Sequence, residues 1–436
     1  MSDYMFALES HLDAGQTRIV TEVQRLATAA GMNVWLTGGA MRDMLRGAPI
    51  RDLDFTIEKD AVRIGKSLAE AVGGRVVEED SLKRSVELEF ADGIRASLAN
   101  ARTEKYSKPG GKPQISPATI HEDLARRDLT FNAIALALNR GTRGLIVDPT
   151  NGQADLMNRE LRLTNSYALF DDPSRIVRLL RFRHSLGFEM TARTQAQLEN
   201  AIGGDYGAGI SGGAITQELR AMAAESSAGA FLEDLDARHL LKPVSPALTG
   251  AKLNVAGLSR FEKLISSVLP PAQTDCWVAF LSVLLEKLTP RERTDAIRNL
   301  ELRKAELEEL KTLEARAKKL ESTLKSPKIR RPSQVWLALE GATTDEVLTV
   351  LYQSAARVVQ DRIRAFYQKY LPQAQEITEA EVAATGARPG TPKFDKTWKG
   401  LVAQRLNSRP RKVVAPPEPE PAPLSAPIVM SSRARR

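Results

Sequence analysis

Apolar residues recur at helical spacing along 14–30, where Ile19, Val20, Val23, Leu26 and Ala27 form one stripe and Gly31 follows as a stop. Further on the period changes to two. Leu53, Phe55 and Ile57 alternate with polar neighbours, so this run reads as a strand that carries Asp52 and Asp54 on one shared face. Between them a short strand from Val34 enters Gly38-Gly39, and a helix covers about 40–45. A helix near 61–72, a strand at 75–77 and a hairpin over about 85–99 continue a mixed α and β pattern to about Asp148. From Leu124 onward the chain reads as largely helical. The charged run Leu302–Leu324 is too short and irregular for a coiled coil and reads as a solvated helix of a helical body. Beyond Pro410 a Pro/Glu/Ala-rich run ends in Ser-Ser-Arg-Ala-Arg-Arg436; its apolar content is too low to fold, which predicts a disordered tail.

The hairpin pattern also fixes a register. With Ala91-Asp92-Gly93 as a three-residue loop, Phe90 pairs with Ile94, Leu88 with Ala96, and Glu87 faces Ser97. That register keeps the apolar residues on one face, whereas a two-residue loop would mix the faces.

Composition narrows the classes. The 436 residues suffice for about three domains. A formal charge of +8 suits a polyanionic partner without requiring one. The single cysteine, Cys276, excludes an intrachain disulfide framework and reads as a buried thiol among Trp277, Val278, Phe280 and Leu281. The four histidines show no ligand spacing. Neither a signal peptide nor a membrane-length apolar run is apparent, so a cytoplasmic protein without a membrane partner is expected.

Four segments carry chemistry. Asp52 and Asp54 offer two hard oxygen ligands on one rigid face, just after a Gly-Gly turn and an arginine. That set suits Mg²⁺ ions that hold a triphosphate; the bland reading is a solvated edge strand. Gly38 and Gly39 let phosphate oxygens approach backbone N–H groups, and Arg42 on the first helical turn adds a charged donor, while Asp43 suits an ion pair inside the domain. In Arg126-Arg127-Asp128-Leu-Thr-Phe-Asn132-Ala-Ile-Ala135, two arginines precede an apolar, helix-like run, and Asn132 offers a donor and an acceptor to a sugar hydroxyl; alone, this reads equally as a capped helix. In Phe170-Asp-Asp172-Pro173-Ser-Arg175, Pro173 opens a helix on which Arg175, Arg178 and Arg181 form a stripe. Asp172 and Arg175, one turn apart, can read a base edge much as a complementary base would; the alternative is a capped helix with a solvated basic face.

Taken together, these residues resemble the class II tRNA nucleotidyltransferase and bacterial poly(A) polymerase superfamily, its CCA-adding members most closely, over about Val34–Phe188. The resemblance implies a polymerase-β-like α/β nucleotidyltransferase head followed by an elongated all-α neck, body and tail. It divides the chain into an N-terminal helix (1–30), head (31–157), neck with the base-selecting motif (158–225), body (226–330), RNA-binding tail (331–412) and disordered end (413–436). It further implies that Asp52 and Asp54 hold two Mg²⁺ ions, and that Gly38, Gly39, Arg42, Arg127 and Asn132 contact the nucleotide's phosphates and sugar. Asp172 and Arg175 would pair with ATP or CTP, with Arg178 and Arg181 in support. The partner would be tRNA, at its 3′ end and acceptor region, with phosphate contacts from basic segments such as Lys325–Arg331; the oligomeric state stays open.

The chain departs from that pattern where a third carboxylate usually stands just before the Arg102-Thr-Glu104-Lys-Tyr106 stretch. Counting back places Ser97 there, and serine is a poor Mg²⁺ ligand. Cross-strand neighbours lie about 5 Å apart, so Glu87 opposite Ser97 is the candidate substitute; equally, two aspartates suffice. The acid pair Asp171-Asp172 replaces a commoner Glu-Asp, at the position not assigned to base reading. Other readings are a poly(A) polymerase, an enzyme adding only A or only CC, and a catalytically silent RNA-binding scaffold. The run Asn132–Ala135 leans toward the CCA-adding branch, and Arg409–Lys412 toward polyadenylation.

Overall fold

The computed structural model describes residues 4–223, 225, 227–268 and 276–408. The described residues form two compact units: one runs to Lys325 and includes Ala342–Gln360, and the other comprises Ser326–Gly341 and the residues from Asp361 onward.

The first unit opens with α1 (Tyr4–His11) and α2 (Ala14–Ala29), the latter started by an Asp13/Gln16 capping box. Then come β1 (Val34–Thr37), α3 (Gly39–Leu45), β2 (Asp52–Ile57), α4 (Ala61–Val72), β3 (Arg75–Asp80), β4 (Ser85–Glu89) and β5 (Arg95–Asn100). A second small hairpin, β6 (Arg102–Lys105) and β7 (Gln114–Pro117), leads into α5 (Ile120–Ala125), β8 (Ala135–Ala137), β9 (Ile146–Val147) and α6 (Gly152–Asn158). Seven strands form one sheet in the order β3-β4-β5-β2-β1-β8-β9. β2 and β5 are parallel, and the other neighbours are antiparallel.

Strand alternation divides the sheet's chemistry. Leu36, Leu53, Phe55, Leu98 and Val86 share the face on which α4 packs, and α2 packs on α4 in turn. Asp52, Asp54, Arg95, Ser97 and Glu87 share the other face. Along that same face, beyond Thr56, Trp35 and the alanines of β8 meet Ile120 and Leu124 of α5 in a small core.

Two expectations meet different fates here. The β4–β5 register is the one expected, with Glu87 opposite Ser97, Leu88 opposite Ala96 and the Phe90 N–H bonded to the Ile94 carbonyl. The reading of 124 onward as largely helical, and of the apolar run before Ala135 as helix-like, is wrong locally. Thr130–Asn132 form a single 3-10 turn, and Ala135–Ala137 form β8 beside β1. A strand buried on both faces has no polar alternation to distinguish it from a helix.

The helical part continues through β10 (Glu160–Leu161), α7 (Ala168–Asp171), α8 (Ser174–Leu186), β11 (Glu189–Met190), α9 (Ala192–Gly203), α10 (Gly212–Met222), α11 (Ala228–Ala237), α12 (Val255–Val268), α13 (Trp277–Leu284), α14 (Pro290–Asn299) and α15 (Lys304–Lys325). The charged helix α15 buries Leu310, Leu313, Ala317, Leu320 and Leu324, and Cys276 is buried at the start of α13. After α16 (Pro332–Leu339), α17 (Thr344–Gln353) packs on α15, α12 and α13 of the first unit. α18 (Arg357–Ala365), a π-helical turn at Phe366–Tyr370, α19 (Leu371–Gln375), α20 (Glu379–Ala383) and α21 (Pro392–Asn407) follow among the described residues. In the second unit α16 packs on α21, with Trp336 edge-on to Trp398 at 5.3 Å. No helix among the described residues is long and apolar enough to cross a membrane. The expected disordered end, 413–436, and Arg409–Lys412 lie outside the described residues.

Candidate active site

The paired carboxylates sit where the middle of the sheet meets a tight turn. β1 ends at Thr37, and Gly38 enters α3 with φ +65°, a backbone conformation that favours glycine. A Cβ on Gly38 would lie 3.2 Å from Asp54 Oδ2 and 3.3 Å from Arg127 Nη1; one on Gly39 would lie 3.6 Å from Asp54 Oδ2. The two glycines therefore keep that oxygen's surroundings open. Asp54 Oδ1 accepts from Ser97 Oγ at 2.7 Å, and Asp52 Oδ1 accepts from Arg95 Nε at 3.0 Å. Burial pushes the Asp52 carboxyl above its usual range, and the Asp54 charge adds to that push while Arg95 opposes it.

Two adjacent hard-oxygen side chains with an open approach between glycines fit a divalent cation. Among the described residues no group of three or more His, Cys, Asp or Glu is placed to hold a metal. Glu87 is on the correct face but two strands from Asp54, with Ser97 between them, at about 4.8 Å per strand. Burial and then Glu78, its partner on β3, raise the Glu87 carboxyl, with a smaller push from Asp54.

The arginines that line this site are already committed to the protein. Arg127 donates through Nη2 to Thr37 Oγ1, Thr56 Oγ1 and Asp123 Oδ2 and through Nη1 to the Asn132 carbonyl. Arg42 pairs with its neighbour Asp43, as expected, and gives Nη1 to Asn132 Oδ1 at 3.2 Å; its guanidinium also lies over the Phe182 ring. Asn132 Nδ2 in turn donates to Asp128 Oδ1. Gly38, Gly39, Arg42, Asp54, Arg127 and Asn132 thus form one connected wall. Phosphates reaching it would share or displace these bonds.

The second cluster is built on the start of α8. Asp172 Oδ1 accepts the Ser174 N–H at 3.0 Å and the Ser174 hydroxyl, capping the helix; its Oδ2 lies 3.8 Å from Arg175 Nε. Arg175 is buried and donates to the carbonyls of Ala168 and Arg126. Through that second bond the helix is tied to the residue preceding Arg127. Arg178 and Arg181 share one carboxylate, Glu218 of α10, and Arg178 also reaches Asp128 at 3.4 Å. Burial works against the Arg178 charge, but Glu218 and Asp128 hold its pKa above the ordinary arginine value. The expected stripe exists, with an acid beneath it rather than solvent.

Sequence reasoning missed the acids that hold these arginines. Asp123, almost fully buried, takes Arg126 at 2.6 Å and Arg127 at 3.0 Å. Glu104 accepts from Arg102, Arg126 and Tyr106, and burial, then the bond to Glu104, drive the Tyr106 phenol well above its usual range. Glu218 had a visible signal: it interrupts an apolar helical stripe of Ile215, Leu219 and Met222.

Residues 34–162 match the poly A polymerase head domain. An A-adding tRNA nucleotidyltransferase of Halalkalibacterium halodurans is 33% identical over 270 residues, covering 60% of this chain and 62% of that protein. A CC-adding tRNA nucleotidyltransferase of Deinococcus radiodurans is 36% identical over 167 residues, 38% of this chain and 44% of that protein. The chain therefore spans less than two thirds of the length of these curated relatives. A solved structure of a CCA-adding enzyme in an apo form superposes with a TM-score of 0.55 at 22% identity, covering 94% of this chain and 96% of that one, a likeness of fold.

Proposed function

We propose, from the match of residues 34–162 to the poly A polymerase head domain, that this chain is a template-independent nucleotidyltransferase that builds or repairs the tRNA 3′ end from CTP and ATP. The observation that carries this reading is the continuity of the two clusters. Asp54 faces Gly38, Gly38 faces Arg127, and the carbonyl of Arg126 holds Arg175 beside Asp172. A base read at Asp172 and Arg175 would then carry its phosphates toward the glycine turn.

In this account Asp52 and Asp54 would hold Mg²⁺, which supplies Lewis-acid activation of the attacking hydroxyl and of the phosphorus. Gly38 and Gly39 leave room for phosphate oxygens. Arg42 and Arg127 lend donors to them, and Asn132 orients Arg42 and offers its amide to the sugar. Asp172 accepts from, and Arg175 donates to, the base edge, while Arg178 and Arg181, fixed on Glu218, keep α8 in place. The RNA 3′-hydroxyl attacks the α-phosphorus in line, the bond to the bridging oxygen breaks, and pyrophosphate leaves. The six-part division of the chain, with RNA on body and tail, belongs to the same proposal; Lys325, Lys328, Arg330 and Arg331 are all exposed.

Addition of the terminal A alone is the second reading, favoured by the A-adding relative. The test incubates the protein and Mg²⁺ with tRNAs that lack CCA, CA or only the final A, supplies CTP and ATP separately and together, and sizes the products. Sequential C, C, A and then arrest is the expected result. Extension of only the A-lacking tRNA supports the second reading, and no extension of any tRNA overturns both.

A further inference from the structure

β5 places a hydrogen-bond donor opposite each of the paired carboxylates. In the parallel β2–β5 register Asp52 faces Arg95 and Asp54 faces Ser97. Arg95 spans the Asp52 carboxylate, Nε to Oδ1 at 3.0 Å and Nη2 to Oδ2 at 3.5 Å. Ser97 gives a neutral hydroxyl to a single oxygen of Asp54. The two donors also differ in setting. The Arg95 side chain is 70% exposed and that of Asp52 44%, so this ion pair lies at the solvent rim, where such pairs contribute little and break readily. On its other side Arg95 faces Glu89, which is itself paired with Arg75 at 2.6 Å.

We propose that Arg95 is a displaceable counter-ion of the metal site: a divalent cation binds by taking the Asp52 carboxylate from Arg95, and the released guanidinium then serves the substrate's phosphates at the same rim. A cation and a guanidinium compete for the same two oxygens, so Arg95 lowers the site's affinity for metal while no phosphate is present. Once displaced, its planar fork matches a phosphate as well as a carboxylate. Ser97 need not move, because one Asp54 oxygen is enough for it and the other faces the glycine turn. β5 thus sets the metal affinity from positions 95 and 97 without an acidic ligand of its own.

This inference rests on the metal-dependent reading above, and its test separates the two. Mn²⁺ binding to the full chain is measured by electron paramagnetic resonance for wild type, R95A, R95Q and D52N. Inorganic triphosphate binding is then measured at saturating Mn²⁺, and circular dichroism checks each fold. R95A and R95Q are expected to bind Mn²⁺ about two- to fivefold more tightly, the size of an exposed ion pair, and triphosphate more weakly by a similar factor. Mn²⁺ affinity that is unchanged or weaker in both variants, or unchanged triphosphate affinity, overturns the counter-ion role. If wild type shows no Mn²⁺ binding that D52N removes, the metal-dependent reading itself fails.

Discussion

Asp123 shows how single buried groups hold the site together. Burial alone would raise its carboxyl, but Arg127 and Arg126 outweigh that and hold it below the usual carboxylate range. A depressed folded pKa contributes stability above the unfolded value, near 3.9, and that contribution is lost as pH falls through the folded value. Urea unfolding between pH 7 and 2 is therefore expected to show an acid loss below about pH 4 that D123N shares far less, because D123N is already destabilised at pH 7. Identical pH slopes for wild type and D123N would contradict this. The residues proposed for the chemistry, Asp52, Asp54, Gly38 and Arg42, were singled out because their spacing and residue types are local. Their restraints were not. Glu104 reaches Arg126 across 22 residues, and Glu218 reaches Arg178 and Arg181 across 40 and 37, separations about which a pattern of two or 3.6 residues carries no information. Asp123, by contrast, holds Arg126 and Arg127 at i+3 and i+4, a helical spacing open to view in the sequence.

At the scale of elements, α4 explains why a glycine stands in a helix interior, where alanine is ordinarily better by about 1 kcal/mol. A Cβ on Gly65 would lie 2.3 Å from Val86 Cγ1, so the residue lets the helix settle onto β4 and β5. G65A is expected to destabilise the protein by about 1–3 kcal/mol in chemical denaturation despite its better helix propensity; a stabilised variant would refute this packing. The β4–β5 hairpin was legible to the residue, because one register alone keeps Phe90, Leu88, Ala96 and Ile94 together. β8 was not, because Ala135-Leu136-Ala137 is buried throughout and offers no alternation. The Glu218 signal was ambiguous for a different reason: an acid inside an apolar helical period looks like an imperfect helix until its two arginines are seen.

For the whole chain, the fold class was legible as an α/β head and a helical remainder, and the family match spans the segment that carries the head motifs. The partition of the helices was harder to read, because helical periodicity repeats without saying which helix packs on which. α17, for example, packs on α15 and also on α12 and α13, which come much earlier in the chain. The formal charge of +8 and the exposed bases Lys328, Arg330 and Arg331 bear on the proposed RNA partner. If those three bases touch phosphate, the plot of log affinity for tRNA against log salt has a negative slope. Replacing all three by glutamine is then expected to flatten it by about two units, at roughly 0.7–0.9 per phosphate contact. An unchanged slope would place the RNA elsewhere.

The central claim, that Asp52 and Asp54 are the metal-holding pair of a nucleotidyl transfer, is tested most directly by D54N. The measurement is release of pyrophosphate and incorporation of labelled nucleotide into tRNA lacking its 3′ end, at saturating CTP, ATP and Mg²⁺, beside the thermal melt of each protein. The account predicts a loss of about a thousandfold or more with an unchanged melt, since the carboxylate's contribution through the metal is worth several kcal/mol in the transition state. Activity within tenfold of wild type in a fully folded D54N protein would contradict it.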